Sequence, residues 1–384
     1  MAAHDASPDA LAITVELVRF DTINPPGNER PCLDWLAGLL SAAGFEIAWQ
    51  DLGRELGPGR ANMLARLPAT RPGGRAPLVF SGHVDTVPLG GAAWSVPTHE
   101  GLIRDGRLYG RGTSDMKSGV AAFVRAALDL AALPERGADL RLIVSAGEET
   151  GCEGVLALAR DPALLGSAGA LIVAEPTDNR PLLGHKGALW LKLHHHGVTA
   201  HGSAPDLGDN AILRATDTIA ALRRFDFGVA AHPVMGAPTL NIGTMQAGMN
   251  VNSVPDLATV GVDIRTIGRQ SNMDVRALVE RVVGADVETE VTTDMAAVFT
   301  EADEPWMAET RALCAGITGV GAGLETADYF TDASVLTGAL GGVPTLIMGP
   351  GALTMAHQTD EYCEVDRIGP CAAAFTEIGR RYLA

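Results

Sequence analysis

Short apolar runs that give way to an acid or a histidine set the strongest limit on how this chain can fold. Residues 77–81 (PLVFS) lead into Gly82-His83-Val84-Asp85, 140–146 (LRLIVSA) into Gly147-Glu148-Glu149, and 170–174 (ALIVA) into Glu175. Residues 343–348 (VPTLIM) run through Gly349-Pro350-Gly351 towards His357. Runs of this length and composition read as strands buried on both faces. Residues 116–130 form a small-residue helical pattern between two of them, and strands alternating with helices predict a largely parallel sheet. Ligands in such sheets gather at the carboxyl ends of the strands, so residues far apart in sequence would meet on one rim. Asp115, in Arg111-Gly112-Thr113-Ser114-Asp115-Met116-Lys117 just ahead of the helical pattern, is a fifth candidate.

The pattern changes after about residue 180. Residues 187–196 alternate Leu189, Leu191 and Leu193 with other residues, the period of a half-exposed strand. A helix over 210–224, strands over 239–246 and 257–266, a helix over 273–283 and a strand over 286–293 follow. That order is β-α-β-β-α-β, a ferredoxin-like arrangement. After Pro305 helix and buried strand return. The expected organisation is a first domain in two parts, 1–180 and 295–384, interrupted by an inserted domain over 181–294. His357 would then share a sheet rim with His83 despite the insertion.

Two histidines with several carboxylates form a borderline-hard ligand set suited to zinc, cobalt or manganese. His83 and Asp85, two apart in an extended segment, share a face, so Asp85 can fix the His83 tautomer from behind. Glu148 and Glu149 are adjacent and diverge, which lets one bind metal while the other faces a reacting water. Singly, each residue has a plainer explanation, since an acid in a glycine-rich loop is usually a turn or cap residue. Five at strand ends or loop mouths call for one common account.

Composition narrows the partners. The formal charge is −17 with no basic run, which argues against nucleic acid and means that an anionic substrate needs a local cation. No apolar run has the length of a membrane span, and none near the N-terminus has a basic flank and cleavage site; the expected address is the cytoplasm. Cys32, Cys152, Cys314, Cys363 and Cys371 lack paired spacing and read as free thiols in a reducing compartment. His194-His195-His196 reads as a solvated strand end, because alternation sends the middle ring to the opposite face.

Several segments together resemble the acetylornithine deacetylase and succinyl-diaminopimelate desuccinylase family, a branch of the dinuclear zinc aminoacylases and carboxypeptidases. They are SGHVDTVP (81–88), LYGRGTSDMKSG (108–119), GEETGCE (147–153), AEPT (174–177), AHGSAPDLGDNAI (200–212) and GPGALTMAHQTDEY (349–362). The resemblance runs from Asn24-Pro25-Pro26-Gly27 almost to the C-terminus. It implies a zinc-aminopeptidase-like α/β catalytic domain with a ferredoxin-like lid and dimerisation domain, working as a homodimer.

By the same resemblance, Asp115 bridges two divalent metals, zinc foremost with cobalt or manganese as alternatives. His83 and Glu175 complete one site, and Glu149 and His357 the other. Glu148 is implied as general base and acid, and Asp85 supports His83. Water between two such metals has a pKa of about 7, and Glu148 would shuttle its proton to the leaving amine. A cis peptide at Asp115–Met116 is implied as well. His201 of the inserted domain is implied to stabilise the oxyanion from the partner subunit. Asn252, Arg265 and the Gly349 loop are implied to hold substrate, Arg265 by gripping a carboxylate.

The function this implies is deacylation of an N-acyl amino acid, acetylornithine deacetylase-like, with desuccinylase, dipeptidase and carboxypeptidase as alternatives. Desuccinylases of this family carry an arginine shortly after the segment matching Thr331-Asp332-Ala333-Ser334, where Val335 and Leu336 stand here. A non-catalytic binding protein on this scaffold predicts loss of Glu148 or a ligand, and none is lost.

Overall fold

The computed structural model describes residues 8–71 and 74–384; residues 1–7 and 72–73 of the expected first domain part lie outside it. The described residues form two compact units: those within 1–184, 300–325 and 331–384, and those within 185–299 and 326–330.

The first unit is built on a six-stranded sheet in the order Glu46–Asp51, Ala61–Leu67, Leu140–Ser145, Leu78–His83, Ala170–Val173 and Thr345–Ile347. The last four strands are mutually parallel. The first two pair antiparallel, so the sheet is mostly parallel, as expected, with a mixed edge. Burial explains the difference. Leu78–His83, Ala170–Val173 and Thr345–Ile347 are buried throughout, as their unbroken apolar runs predict, whereas Glu46–Asp51 is half-exposed with exposed ends. An edge strand with one wet face needs no apolar run.

Helix Ser118–Ala131 crosses this sheet with nearly all its residues buried. Its small residues set how close it can come. A Cβ on Gly119 would lie 1.9 Å from the Ala174 carbonyl oxygen, so only glycine lets the helix reach the strand end that precedes Glu175. The amphipathic helix Val365–Leu383 packs against Ser118–Ala131. Because the last four strands are parallel, their carboxyl ends share one edge. His83 ends its strand there, and Glu148 and Glu175 follow theirs within three residues.

The second unit holds a four-stranded antiparallel sheet in the order Thr239–Ala247, Leu257–Thr266, Gly187–His196 and Val287–Met295. Helices Ala211–Leu222 and Asn272–Val283 cover one face, packing Leu189, Leu191, Leu193, Val260, Val262, Val275 and Val279 into a core. Both helices start where the sequence supplies caps. The Asn210 side chain accepts from the amides of Ile212 and Leu213, and Ser271 forms a capping box with Asp274. In chain order the elements run strand, helix, strand, strand, helix, strand. His194 bonds Thr259 and Glu290, His196 bonds Glu288, and His195 is buried on the opposite face. No helix among the described residues is long and apolar enough to cross a membrane.

Candidate metal centre

At the carboxyl edge of the first unit's sheet, two groups of ligating atoms meet on one aspartate. His83 Nε2 is 3.5 Å from Asp115 Oδ1 and 3.9 Å from Glu175 Oε1. His357 Nε2 is 3.5 Å from Asp115 Oδ2 and 3.0 Å from Glu149 Oε2. The two oxygens of Asp115 are thus divided between the histidines. Within each group of three the ligating atoms lie within 4.8 Å of one another. The Asp115–Met116 peptide is cis.

The supports behind these atoms are buried. His83 Nδ1 lies 3.0 Å from the Asp85 main-chain oxygen and 3.3 Å from Asp85 Oδ1. The nearer acceptor for the ring is therefore the carbonyl, not the carboxylate that the sequence suggests. With Nδ1 bonded, Nε2 keeps its lone pair for the cluster. Asp85 accepts from Asn24 Nδ2 at 2.9 Å and from the Glu148 and Glu149 amides at 3.3 Å each. Burial opposes ionisation of Asp85, but the bonds from His83, Asn24 and the Glu148 amide win and hold its pKa below the ordinary range.

Glu148 Oε2 is 3.8 Å from His83 Nε2. Burial raises the pKa of Glu148 well above the ordinary value, with His83 opposing and Glu175, Asp332 and Glu149 reinforcing. Burial followed by the Asp115 charge also raises Glu149 and Glu175. Such crowding of acids fits a cation-binding site. His83 Nε2 and Glu149 Oε1 fit it too, being buried without a hydrogen-bond partner. The donor set of imidazole nitrogens and carboxylate oxygens matches zinc, cobalt or manganese.

One residue that the sequence reading passed over organises half of this centre. Glu361 is fully buried. Its Oε1 accepts from the amides of Ser114 at 2.8 Å and Asp115 at 3.0 Å; its Oε2 accepts from the Gly112 amide and Arg111 Nη1, both at 2.9 Å. Ser114 Oγ donates to the Tyr362 carbonyl at 2.6 Å. The loop carrying Asp115 is thereby fastened to the segment that follows His357. The only sequence signal is a carboxylate four residues after that histidine.

The other expected site residues are placed as follows. Gly349 lies in the first unit, where a Cβ would come within 2.3 Å of the Ala174 carbonyl oxygen and 2.5 Å of that of Glu175. Its lack of a side chain is thus required by packing on the strand end that carries Glu175. His201, Asn252 and Arg265 lie in the second unit. His201 is exposed, with Nδ1 accepting from the Ser203 amide at 3.1 Å, and its backbone bridges to Ser253. The Asn252 carbonyl accepts from the Gly202 amide at 2.7 Å. Arg265 is held by Asp263 on its own strand, at 2.9 and 3.1 Å.

An open α/β sheet with this two-histidine, multi-carboxylate cluster on its carboxyl edge is the frame of a metal-dependent amide hydrolase. The chain belongs to peptidase family M20/M25/M40, whose signature matches residues 79–381. It is 32% identical over 385 residues to an acetylornithine deacetylase of Myxococcus xanthus, covering 96% of each chain. A succinyl-diaminopimelate desuccinylase of Cereibacter sphaeroides is 32% identical over 398 residues, covering 98% of this chain and 99% of that one. Among solved structures, aminopeptidase PepT from Bacillus cereus superposes with a TM-score of 0.77 at 23% identity, covering 97% and 98% of the two chains. An M20 family metallo-carboxypeptidase from Sulfolobus solfataricus also gives 0.77, at 17% identity and 98% and 99% coverage.

Proposed function

We propose that the protein removes the acyl group from an N-acyl amino acid, with two divalent cations, zinc foremost, held by His83, Asp115, Glu149, Glu175 and His357. The observation that carries this reading is the division of the Asp115 oxygens between His83 and His357, with Glu148 directed at the same cluster. Bound there, the cations supply Lewis acidity, lowering the pKa of water and polarising an amide carbonyl. Glu148 is the base and acid. Its carboxylate takes a proton from the attacking water and returns it to the amide nitrogen as the C–N bond breaks, leaving a free amine and a carboxylic acid that ionises by giving its proton to solvent. Asp85 holds the His83 ring and, through two amides, the Glu148–Glu149 loop.

In this reading the second unit is a ferredoxin-like lid and dimerisation domain of a cytoplasmic homodimer. His201 stabilises the oxyanion in the partner's site, Asn252 and Arg265 bind the substrate carboxylate, and the Gly349 loop lines the pocket. Support for an interface on this unit comes from its exposed apolar side chains, among them Leu207, Leu213, Met249 and Val251. The relatives' names span deacetylases and desuccinylases; Val335 and Leu336, in place of the expected arginine, favour a deacetylase.

The test is Glu148→Gln assayed on acetyl-, succinyl- and formyl-amino acids and dipeptides. The variant should bind two metal equivalents as the wild type does and lose about 10²–10⁴-fold in turnover. Retained turnover would remove Glu148 from its role, and a wild type inert on the whole panel would refute the substrate class.

A further inference from the structure

Behind Glu148 lies a second set of ligating atoms that the dinuclear centre does not use. The two oxygens of Glu148 face different neighbours: Oε2 is 3.8 Å from His83 Nε2, and Oε1 is 3.7 Å from Cys152 Sγ. One atom each from Glu148, Cys152 and Asp332 lie within 4.8 Å of one another, and all three residues are buried. Asp332 is only 1% exposed. Its Oδ2 takes the Ser145 hydroxyl, while its Oδ1 is buried with no hydrogen-bond partner. A buried carboxylate oxygen left unpaired beside another carboxylate is costly. A proton would relieve part of that cost, and a cation would relieve more.

We propose that Cys152, Asp332 and Glu148 form a third, inhibitory site for a thiophilic divalent cation such as zinc or cadmium. The geometry suits a tetrahedral ion. With metal–sulfur and metal–oxygen bonds of about 2.3 and 2.0 Å, the two ligand atoms should stand about 3.5 Å apart, close to the 3.7 Å between Cys152 Sγ and Glu148 Oε1. Coordination replaces the thiol proton of Cys152 with the cation and releases that proton to solvent. Thiolate ligation selects soft and borderline ions, so manganese and magnesium do not occupy the site. The ion inhibits because it holds the Glu148 carboxylate from behind, withdrawing it from proton transfer. Cys152 is suited to selective capture: among the described residues the other four cysteines, Cys32, Cys314, Cys363 and Cys371, are buried but belong to no such group.

The inhibition rests on the reading of Glu148 as the base; the binding does not. Cobalt titration of the metal-free protein separates them. The first two equivalents should enter nitrogen and oxygen sites and give no thiolate-to-cobalt charge-transfer absorption. Further cobalt should bring that band in, while hydrolysis falls about tenfold at ten times the third-site Kd. Cys152→Ser should abolish both the band and the inhibition, measured against the variant's own activity. Asp332→Asn should weaken both and serves if the serine variant does not fold. Absence of the band in excess cobalt, its survival in Cys152→Ser, or inhibition without the band would overturn the proposal. If the first two equivalents fail to bind, the dinuclear reading falls, and the band still decides the third site.

Discussion

Replacing Glu361 with glutamine should loosen the loop of Asp115, the proposed bridging ligand, without removing any of the proposed metal ligands. In the wild type one carboxylate oxygen serves the Ser114 and Asp115 amides and the other serves the Gly112 amide and Arg111. A glutamine can offer its oxygen to one pair only, and its NH2 group must then face the two donors of the other. Each buried donor left unpaired costs about 1–3 kcal/mol, so the loop should lose about 4 kcal/mol. Native-state hydrogen exchange at Gly112, Ser114 and Asp115 reads this loss locally, as exchange about a thousandfold faster. Metal affinity should fall about 10–100-fold, the usual effect of disturbing a ligand's support. Replacing Arg111 with methionine in the same molecule should recover part of the loss, because the buried guanidinium no longer lacks its partner. If those three amides exchange within about tenfold of wild type, Glu361 does not hold the Asp115 loop.

Three further outcomes are expected. Gly119→Ala should destabilise by about 1–3 kcal/mol, because the clash with the Ala174 carbonyl exceeds the gain in helix propensity. Gly38→Ala, on a helix with open space around it, should stabilise by about 0.4–1 kcal/mol; urea unfolding of both variants checks the pair, and equal signs would refute the packing account. His185 is fully buried, and burial lowers its pKa from 6.5 to about 4. Its depressed folded pKa means that the unfolded chain binds the extra proton, so its contribution is complete above pH 6.5 and is lost as pH falls to about 4. That loss is about 3 kcal/mol, and a stability–pH curve of His185→Gln parallel to wild type over this window would exclude it. Chelation should lower the melting temperature and restored metal should raise it, since a ligand at about 100 times its Kd adds about 2.7 kcal/mol; a melting temperature indifferent to both would rule out a bound cation.

How far the sequence could be read follows from burial. Leu78–His83, Leu140–Ser145 and Ala170–Val173 were legible because each is an apolar run buried on both faces. Glu46–Asp51 was not, since an edge strand with exposed ends carries no such run. The antiparallel direction of Ala61–Leu67 was equally hidden, because a buried strand reads the same both ways. At the site, the residues the resemblance implied as ligands stand out as acids and histidines at strand ends or in the loops that follow or precede a strand or helix. Of their supports, Asp85 was legible from its spacing to His83, but Glu361 was not. Glu361 acts on backbone amides about 250 residues away, and Cys152 looks like any isolated thiol until Asp332 and Glu148 are seen beside it.

The split of the first unit around the second also sets an order of assembly. Glu175 is made well before His357, which lies 182 positions later. At the usual pace of about 5–20 residues per second the ribosome needs roughly 10–35 s to cover that stretch. During that interval strand Ala170–Val173 lacks its neighbour Thr345–Ile347, and helix Ser118–Ala131 lacks the cover of Val365–Leu383. The nascent chain therefore carries an open sheet edge and a bare apolar helix face, the features that chaperones bind. On the proposed metal assignment, a cation arriving early would meet His83, Asp115 and Glu175 but not His357, and the second site would be completed only when the last part of the chain emerges.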